Sequence, residues 1–240
     1  MVNQCRIFPA QITRVFFELP VIDLEALVPV MAAPEEPILA DLCLPNHTSG
    51  AGHNDLIPLL RIVRSKQPHL VVELGTAHGN TTANICRQCP AALVYTVNAL
   101  PEQITGGVIT FALNRDEIGR VYRQHGYQNR VTPIFQNTLH LDLGTYLQRS
   151  SVDLAIIDAC HDTPYVLNDF AKIEPYMRPG GMVLFHDTHP SMEEHLAGSY
   201  RACMKLRSQG YDIRHIRGTW WAVWQVPTAD SGRKVDHEVK

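Results

Sequence analysis

Apolar positions change period several times along the chain, and the changes divide it into helices and strands. Leu56, Leu59, Leu60 and Val63 recur at helical spacing behind Asp55, a capping residue, and Pro58, which suits a first turn; the segment stops at Pro68. Leu70-Val71-Val72-Glu73-Leu74 follows as a short run of the buried-strand kind that leads into Gly75, and a second helical segment spans about Asn80 to Cys89. After a strand at Leu93–Asn98 comes a long connection, then Asn114-Arg115-Asp116-Glu117, where a cap and a glutamate three residues on open a helix ending near Gly126. Arg130–Gln136, Val152–Asp158 and Met182–Asp187 are β-branched or apolar runs, with a helix at Tyr165–Tyr176 between the last two. Met192–Gln209 reads as a helix stopped by Gly210, and Tyr211–Ile216 with Thr219–Val226 read as two closing strands around Arg217-Gly218. Seven strands alternating with helices predict an α/β fold: a mostly parallel sheet covered by helices on both faces, with an antiparallel C-terminal hairpin at its edge.

The flanks lack that order. Residues 1–54 carry six prolines and no sustained period, which predicts an arm or lid ahead of one domain over 55–227, and the polar residues 228–240 read as a tail. A length of 240 residues suits one domain of this class with such an arm. Hydrophobic residues at 45% and charged residues at 19% call for a packed core and exclude a disordered chain. A net charge of -3 with scattered basic residues gives no footprint for nucleic acid. No apolar run approaches the roughly 20 residues that span a bilayer, and no basic segment leads into an apolar core at the N-terminus, so a soluble, cytoplasmic protein without membrane partners is expected. The six cysteines read as reduced thiols; Cys86 and Cys89 fall inside a predicted helix with no second pair, so they read as ordinary thiols and not as a zinc or redox site. Trp220, Trp221 and Trp224 alternate along the last strand and read mainly as core.

Candidate chemistry gathers at strand ends. In Glu73-Leu74-Gly75-Thr76-Ala77-His78-Gly79-Asn80-Thr81-Thr82, Gly75 permits a tight turn off the strand and Gly79 lets the next helix approach a ligand. The GxxxG spacing departs from GxGxxG and fits a dinucleotide loop poorly; a ligand-free turn has the same pattern. Asp158 and Asp187 each end a predicted strand, at the carboxyl edge where open α/β sheets bind ligands. On neighbouring strands, about 4.8 Å apart, the two carboxylates converge on one hard divalent cation, magnesium or manganese. His186 joins them only if the chain leaves strand geometry, because consecutive strand side chains point to opposite faces. His161, three residues past Asp158 and with an ordinary pKa near 6.5, suits a general base. Asp162 and Asp169 compete as ligands, although Asp169 falls within a helix and reads as solvated or part of a capping network. A metal-free alternative makes Asp158 a cofactor-binding residue and Asp187 a helix cap.

Taken together, these blocks resemble the class I S-adenosylmethionine-dependent methyltransferases, whose first motif is an acidic residue followed by closely spaced glycines at the end of the first strand. The run Val152–His161, with Tyr165, Asp169 and Arg178-Pro179-Gly180-Gly181 leading into Met182–Asp187, is similar to the branch of metal-dependent sugar and natural-product O-methyltransferases. The resemblance covers about residues 55–226 and implies a Rossmann-like, seven-stranded, mostly parallel sheet. It implies that Glu73, Gly75, Thr76 and Gly79 hold the methionine portion of S-adenosylmethionine, with Thr81 assisting. Asp158 borders the cofactor, Asp158 and Asp187 are Mg2+ or Mn2+ ligands with His186 behind them, and His161 is the base. Two positions depart from the family. Asn98 stands where a carboxylate usually binds the ribose and Asn137 where another usually meets the adenine; both still hydrogen-bond, without charge. Weaker cofactor affinity follows, or Glu102 stands in for Asn98. The expected activity is methyl transfer to a hydroxyl of a small molecule, a sugar or natural product. Metal-independent carboxyl- or N-methyl transfer, a non-catalytic cofactor-binding scaffold and, at lower weight, a metal-dependent hydroxylase-like or hydrolytic enzyme stand as alternatives. The acceptor is not readable, since the arm, the Leu100–Leu113 connection and the loop after Asp187 carry no legible chemistry. Exchange of the arm between subunits leaves a homo-oligomer open.

Overall fold

The computed structural model of the protein describes residues 18–28, 56–104, 106–107, 112–189 and 197–228. The rest of the arm, the cap at Asp55, part of the 100–113 connection, the start of the helix predicted from Met192 and the tail after residue 228 lie outside the described residues.

Among the described residues, eight strands form one sheet: β1 (Val21–Ile22), β2 (Leu70–Leu74), β3 (Leu93–Asn98), β4 (Val131–Phe135), β5 (Val152–Ile157), β6 (Met177–Phe185), β7 (Ile213–Ile216) and β8 (Ala222–Gln225). Their spatial order is β1-β7-β8-β6-β5-β2-β3-β4. Every pairing is parallel except those of β8, which runs antiparallel to both β6 and β7. Six helices accompany them among the described residues: α1 (Leu24–Leu27), α2 (Leu56–Lys66), α3 (Asn80–Gln88), α4 (Arg120–Gln124), α5 (Thr163–Ile173) and α6 (Gly198–Ser208). The mostly parallel, Rossmann-like sheet expected from the sequence is present, with three differences of detail. Val21–Ile22, in the arm, adds an eighth strand along β7. The antiparallel C-terminal hairpin lies at that edge as expected, but in it β8 sits between β6 and β7, and its Ala222, Val223 and Trp224 are buried on both faces as an interior strand requires. The helix predicted from Asn114 shrinks to α4, because Gly119 adopts φ +72 and ends the capped turn at Asn114–Ile118.

The sheet separates two cores. On one face α1, α2, α3 and α4 bury Leu59, Ile62, Val63, Ile85 and Tyr122 against Val71, Leu154, Leu184 and Trp221. On the other, α5 and α6 bury Val166, Phe170, Ile173, Cys203 and Leu206 against Val72, Ala155, Val183 and Trp224. Trp221 and Trp224 therefore serve opposite faces as core residues, as strand alternation predicts.

Strand order runs outward from β2 through β3 to β4, then restarts on the other side with β5 and β6. The topological switch point thus falls between β2 and β5, the place where such sheets open a ligand crevice beyond the carboxyl ends. The register levels those ends: Leu74 pairs with Val97 and with Ile157, and Ile157 with Phe185. The chain therefore leaves the sheet at Gly75, Asp158 and His186 side by side.

The second core leans on Phe170, which is 2% exposed and packs its ring at 4.8 Å from Tyr211, 5.2 Å from Trp224 and 5.7 Å from Phe185. Truncation to Phe170→Ala is expected to cost about 3–5 kcal/mol. Urea unfolding measures it, and a loss below about 1 kcal/mol would contradict this packing.

Candidate active site

The turn after β2 is built around missing side chains. Gly75 has φ +107, and a Cβ there would lie 2.0 Å from the Asp158 carbonyl oxygen, so only glycine lets β2 and β5 release their chains this close together. The Gly75 and Thr76 amides donate to the Val97 carbonyl at 2.9 and 3.2 Å, which fixes the turn on β3. Gly79, at φ +81, precedes α3; a Cβ there would meet Gly119 Cα at 2.7 Å and Tyr122 Cδ1 at 2.8 Å. The close approach that Gly79 permits is thus made by the start of α4.

Glu73 lies under this turn, 1% exposed. Its Oε2 accepts hydrogen bonds from the Thr82 and Thr96 hydroxyls, while its buried Oε1 has no hydrogen-bond partner among the described residues. Burial pushes its carboxyl from 4.5 up to about 7, against the opposing effect of the two hydroxyl bonds and with the Asp158 charge adding to the rise. A buried carboxylate with one oxygen unsatisfied beside a glycine turn suits a cationic group of a ligand. Thr82, which the sequence did not single out, touches Glu73, while its neighbour Thr81 is half-buried.

Both asparagines are spent on backbone. Asn98 Oδ1 accepts from the Ala77 amide at 3.0 Å and Nδ2 donates to the Ala99 carbonyl at 2.8 Å, which ties β3 to the turn. Asn137 Oδ1 accepts from the Leu139 amide at 3.0 Å and Nδ2 donates to the Gln103 carbonyl at 3.0 Å. Glu102, in the short 3-10 turn Pro101–Gln103 after β3, is exposed.

On the other side of the switch point, Asp158, His161, His186 and Asp187 converge: each offers one ligand atom, and these atoms all lie within 4.8 Å of one another. His161 Nε2 is 3.0 Å from Asp187 Oδ2 and 3.4 Å from Asp158 Oδ1; His186 Nδ1 is 3.1 Å from Asp158 Oδ1 and 3.3 Å from Asp187 Oδ1. His186 and Asp187 share one side because the chain leaves strand geometry after Phe185, with Asp187 at φ +56. That is the condition under which the sequence admitted His186. Burial by itself would raise both aspartates; the positive charge and hydrogen bonding of His186, joined by His161, outweigh it and hold both carboxyls below the usual range. Burial would likewise lower the imidazoles, but the two carboxylates raise His161, and raise His186 well above its ordinary value. Two carboxylates and two imidazoles aimed at one point are a donor set that fits a divalent cation.

Supporting contacts surround the cluster. The His186 ring lies 4.4 Å from that of Trp221, centroid to centroid, and the Thr188 amide donates to the Trp220 carbonyl at 3.0 Å. A Cβ on Gly198 would lie 2.0 Å from the His161 carbonyl oxygen, so α6 presses directly on the His161 peptide. Asp162 precedes α5, where its backbone carbonyl accepts from the Tyr165 and Val166 amides, and stands outside the cluster. Asp169 is fully buried and not solvated as its helical position suggested; burial raises its carboxyl to about 6, against bonds from Thr138 and Asn168 and the charge of Lys172. It sits against the 3-10 turn Thr138–His140, away from the four converging residues.

Residues 72–188 match a family model described as a methyltransferase domain. No curated protein matches the chain. Similar solved structures include the O-methyltransferase TomG from Streptomyces achromogenes, described as involved in tomaymycin synthesis and in complex with SAM, at 17% identity over 95% of this chain and 100% of that one, TM-score 0.52. An O-methyltransferase from Bacillus cereus in complex with SAH has 16% identity over 77% of this chain and 84% of that one, TM-score 0.53. Cofactor-bound Rv0187 from MTB has 18% identity over 94% of this chain and 93% of that one, TM-score 0.54. The family match spans the glycine turn and both carboxylate-bearing strand ends, and the chain shares the fold of these structures.

Proposed function

We propose that the protein transfers the methyl group of S-adenosylmethionine to a hydroxyl oxygen of a small molecule, with a divalent cation held by Asp158, Asp187 and His186 and with His161 as proton acceptor. The observation that carries this reading is the convergence of the four side chains directly against the glycine turn, where the Asp158 carbonyl occupies the space a Cβ on Gly75 would need. Relatives of the same fold described as O-methyltransferases, one bound to SAM and one to SAH, support the donor and the oxygen acceptor. The natural-product context of TomG supports an acceptor of that kind. The net charge of -3 favours a free small molecule over a nucleic acid.

Binding falls to the β2 side of the crevice. Glu73 Oε1 offers its charge to the cationic end of the donor's methionine portion, and the backbone of Gly75, Thr76 and Gly79 lines it, with Thr81 at the start of α3. Asn98 and Asn137 hold the ends of β3 and β4 in place; Glu102, exposed and four residues past Asn98, supplies the carboxylate for a ribose hydroxyl. Bound S-adenosylmethionine supplies a methyl group already activated on a sulfonium. A bound cation supplies Lewis acidity that lowers the proton affinity of the acceptor hydroxyl. His161, whose Nε2–H donates to Asp187 at 3.0 Å, takes the hydroxyl proton at its other ring nitrogen, Nδ1, as the oxygen attacks the methyl carbon in line and the carbon–sulfur bond breaks to a neutral thioether.

Incubation with isotopically labelled S-adenosylmethionine and a panel of hydroxylated small molecules is expected to label an acceptor oxygen, and a chelator to abolish labelling. Label on nitrogen or carboxylate, or transfer indifferent to chelation, would contradict the reading. His161→Ala is expected to lower turnover by about 10²-fold while S-adenosylhomocysteine affinity stays within about threefold; unchanged turnover would remove His161 from the mechanism.

Glu73 yields a pH prediction. With its carboxyl at about 7 in the folded chain against 4.5 ordinarily, the unfolded chain loses that proton first as pH rises, so Glu73 costs stability increasingly from about 4.5 to about 7. Glu73→Gln is therefore expected to be more stable than the wild type by roughly 2–3 kcal/mol above pH 7, with the gap closing toward pH 4.5. The same variant is expected to bind S-adenosylhomocysteine at least about tenfold more weakly. Denaturant melts across pH measure the first effect, and a gap that does not change with pH would contradict it.

A further inference from the structure

The cluster at the ends of β5 and β6 holds a donor that a magnesium site does not require. His186 is 5% exposed, fixed against Trp221, and its Nδ1 lies 3.1 Å from Asp158 Oδ1 and 3.3 Å from Asp187 Oδ1. Bonds of about 2.1 Å to a single cation require neighbouring donors about 3.0 Å apart in an octahedral shell and about 3.4 Å apart in a tetrahedral one, which brackets both separations. The left-handed backbone at Asp187 is what allows this, since a continuing strand would send His186 and Asp187 to opposite faces. Imidazole nitrogen suits zinc, iron, cobalt and nickel, whereas magnesium takes oxygen ligands and keeps its waters. From the geometry we infer that this site selects a first-row transition ion of the zinc, cobalt or iron(II) kind over magnesium, through His186 Nδ1 together with the carboxylates of Asp158 and Asp187.

This inference rests on the cation site proposed above and specifies its ion, replacing the oxygen-only chemistry expected from the sequence. His161 is not counted among the ligands: its Nε2–H points to Asp187 Oδ2 at 3.0 Å and to Asp158 Oδ1 at 3.4 Å, an oxygen it shares with His186. An alternative use of His186, as a proton-carrying partner that neutralises the two aspartates in a cation-free site, makes the opposite prediction in the experiment below.

The full-length protein, stripped of metal with a chelator and dialysed, would be titrated with cobalt(II), followed by visible absorption and by quenching of tryptophan fluorescence, since Trp221 touches the proposed ligand. Zinc and magnesium would then compete for the site. Cobalt and zinc are expected to bind at least about 100-fold more tightly than magnesium, and His186→Asn to lose at least about tenfold of the transition-ion affinity with magnesium affinity within about threefold. Equal or tighter magnesium binding, no ion binding at all, or a preference that survives His186→Asn would overturn the inference. The wild-type competition decides the matter even if the variant does not fold. S-adenosylhomocysteine titration of the same samples separates two failures: if it binds while magnesium prevails, the ion assignment falls and the methyltransferase reading stands. If it does not bind, that reading falls whatever ion is preferred.

Discussion

The site depends on one contact, between the bare Cα of Gly75 and the carbonyl oxygen of Asp158. A side chain at Gly75 would need the space that this oxygen fills, 2.0 Å from where its Cβ would stand. The contact exists because β2 and β5 are adjacent parallel strands in level register, and the Asp158 amide returns the favour by donating to the Leu74 carbonyl at 2.8 Å. The glycine turn after β2 and the loop that carries Asp158 and His161 are therefore tied to each other through their backbones. Small errors in placing reacting groups cost large factors in rate, and here the backbones of two strands set the placement before any side chain acts.

The electrostatics follow from the same closeness. The Asp158 charge adds to the rise at buried Glu73, yet the two carboxylates end in opposite conditions, because half-buried Asp158 faces two imidazoles and Glu73 faces only hydroxyls. One carboxylate is held charged at all ordinary pH and the other is left near neutrality, short of a counter-charge. This is an expensive arrangement for an empty protein and a productive one for a protein whose ligands bring positive charge to both sides of the crevice.

Much of the fold was legible because buried parallel strands leave continuous apolar runs: β2 and β3 begin and end where the sequence puts them. Asp158 and Asp187 were legible for the same reason, as the first polar residues beyond such runs. The side of His186 was not, since it turns on the sign of one dihedral at Asp187, which residue type does not reveal. Nor was β1, because two residues are too few for a period. The contact of Thr82 with Glu73 left no sign in the sequence, and the asparagines were seen as hydrogen-bonding groups without any sign that backbone would consume them. Asp169 did carry a signal: it lies three residues after Val166 and four before Ile173, on the apolar face of α5, where its charge disguised its burial.

The central claim is that the glycine turn forms a donor site that stands on the fold alone, with the cation cluster added beside it. Calorimetric titration of the protein with S-adenosylhomocysteine, once in chelator and once with a divalent cation, addresses it directly. Micromolar binding in both buffers is the expected result, and the absence of binding in both would contradict the account.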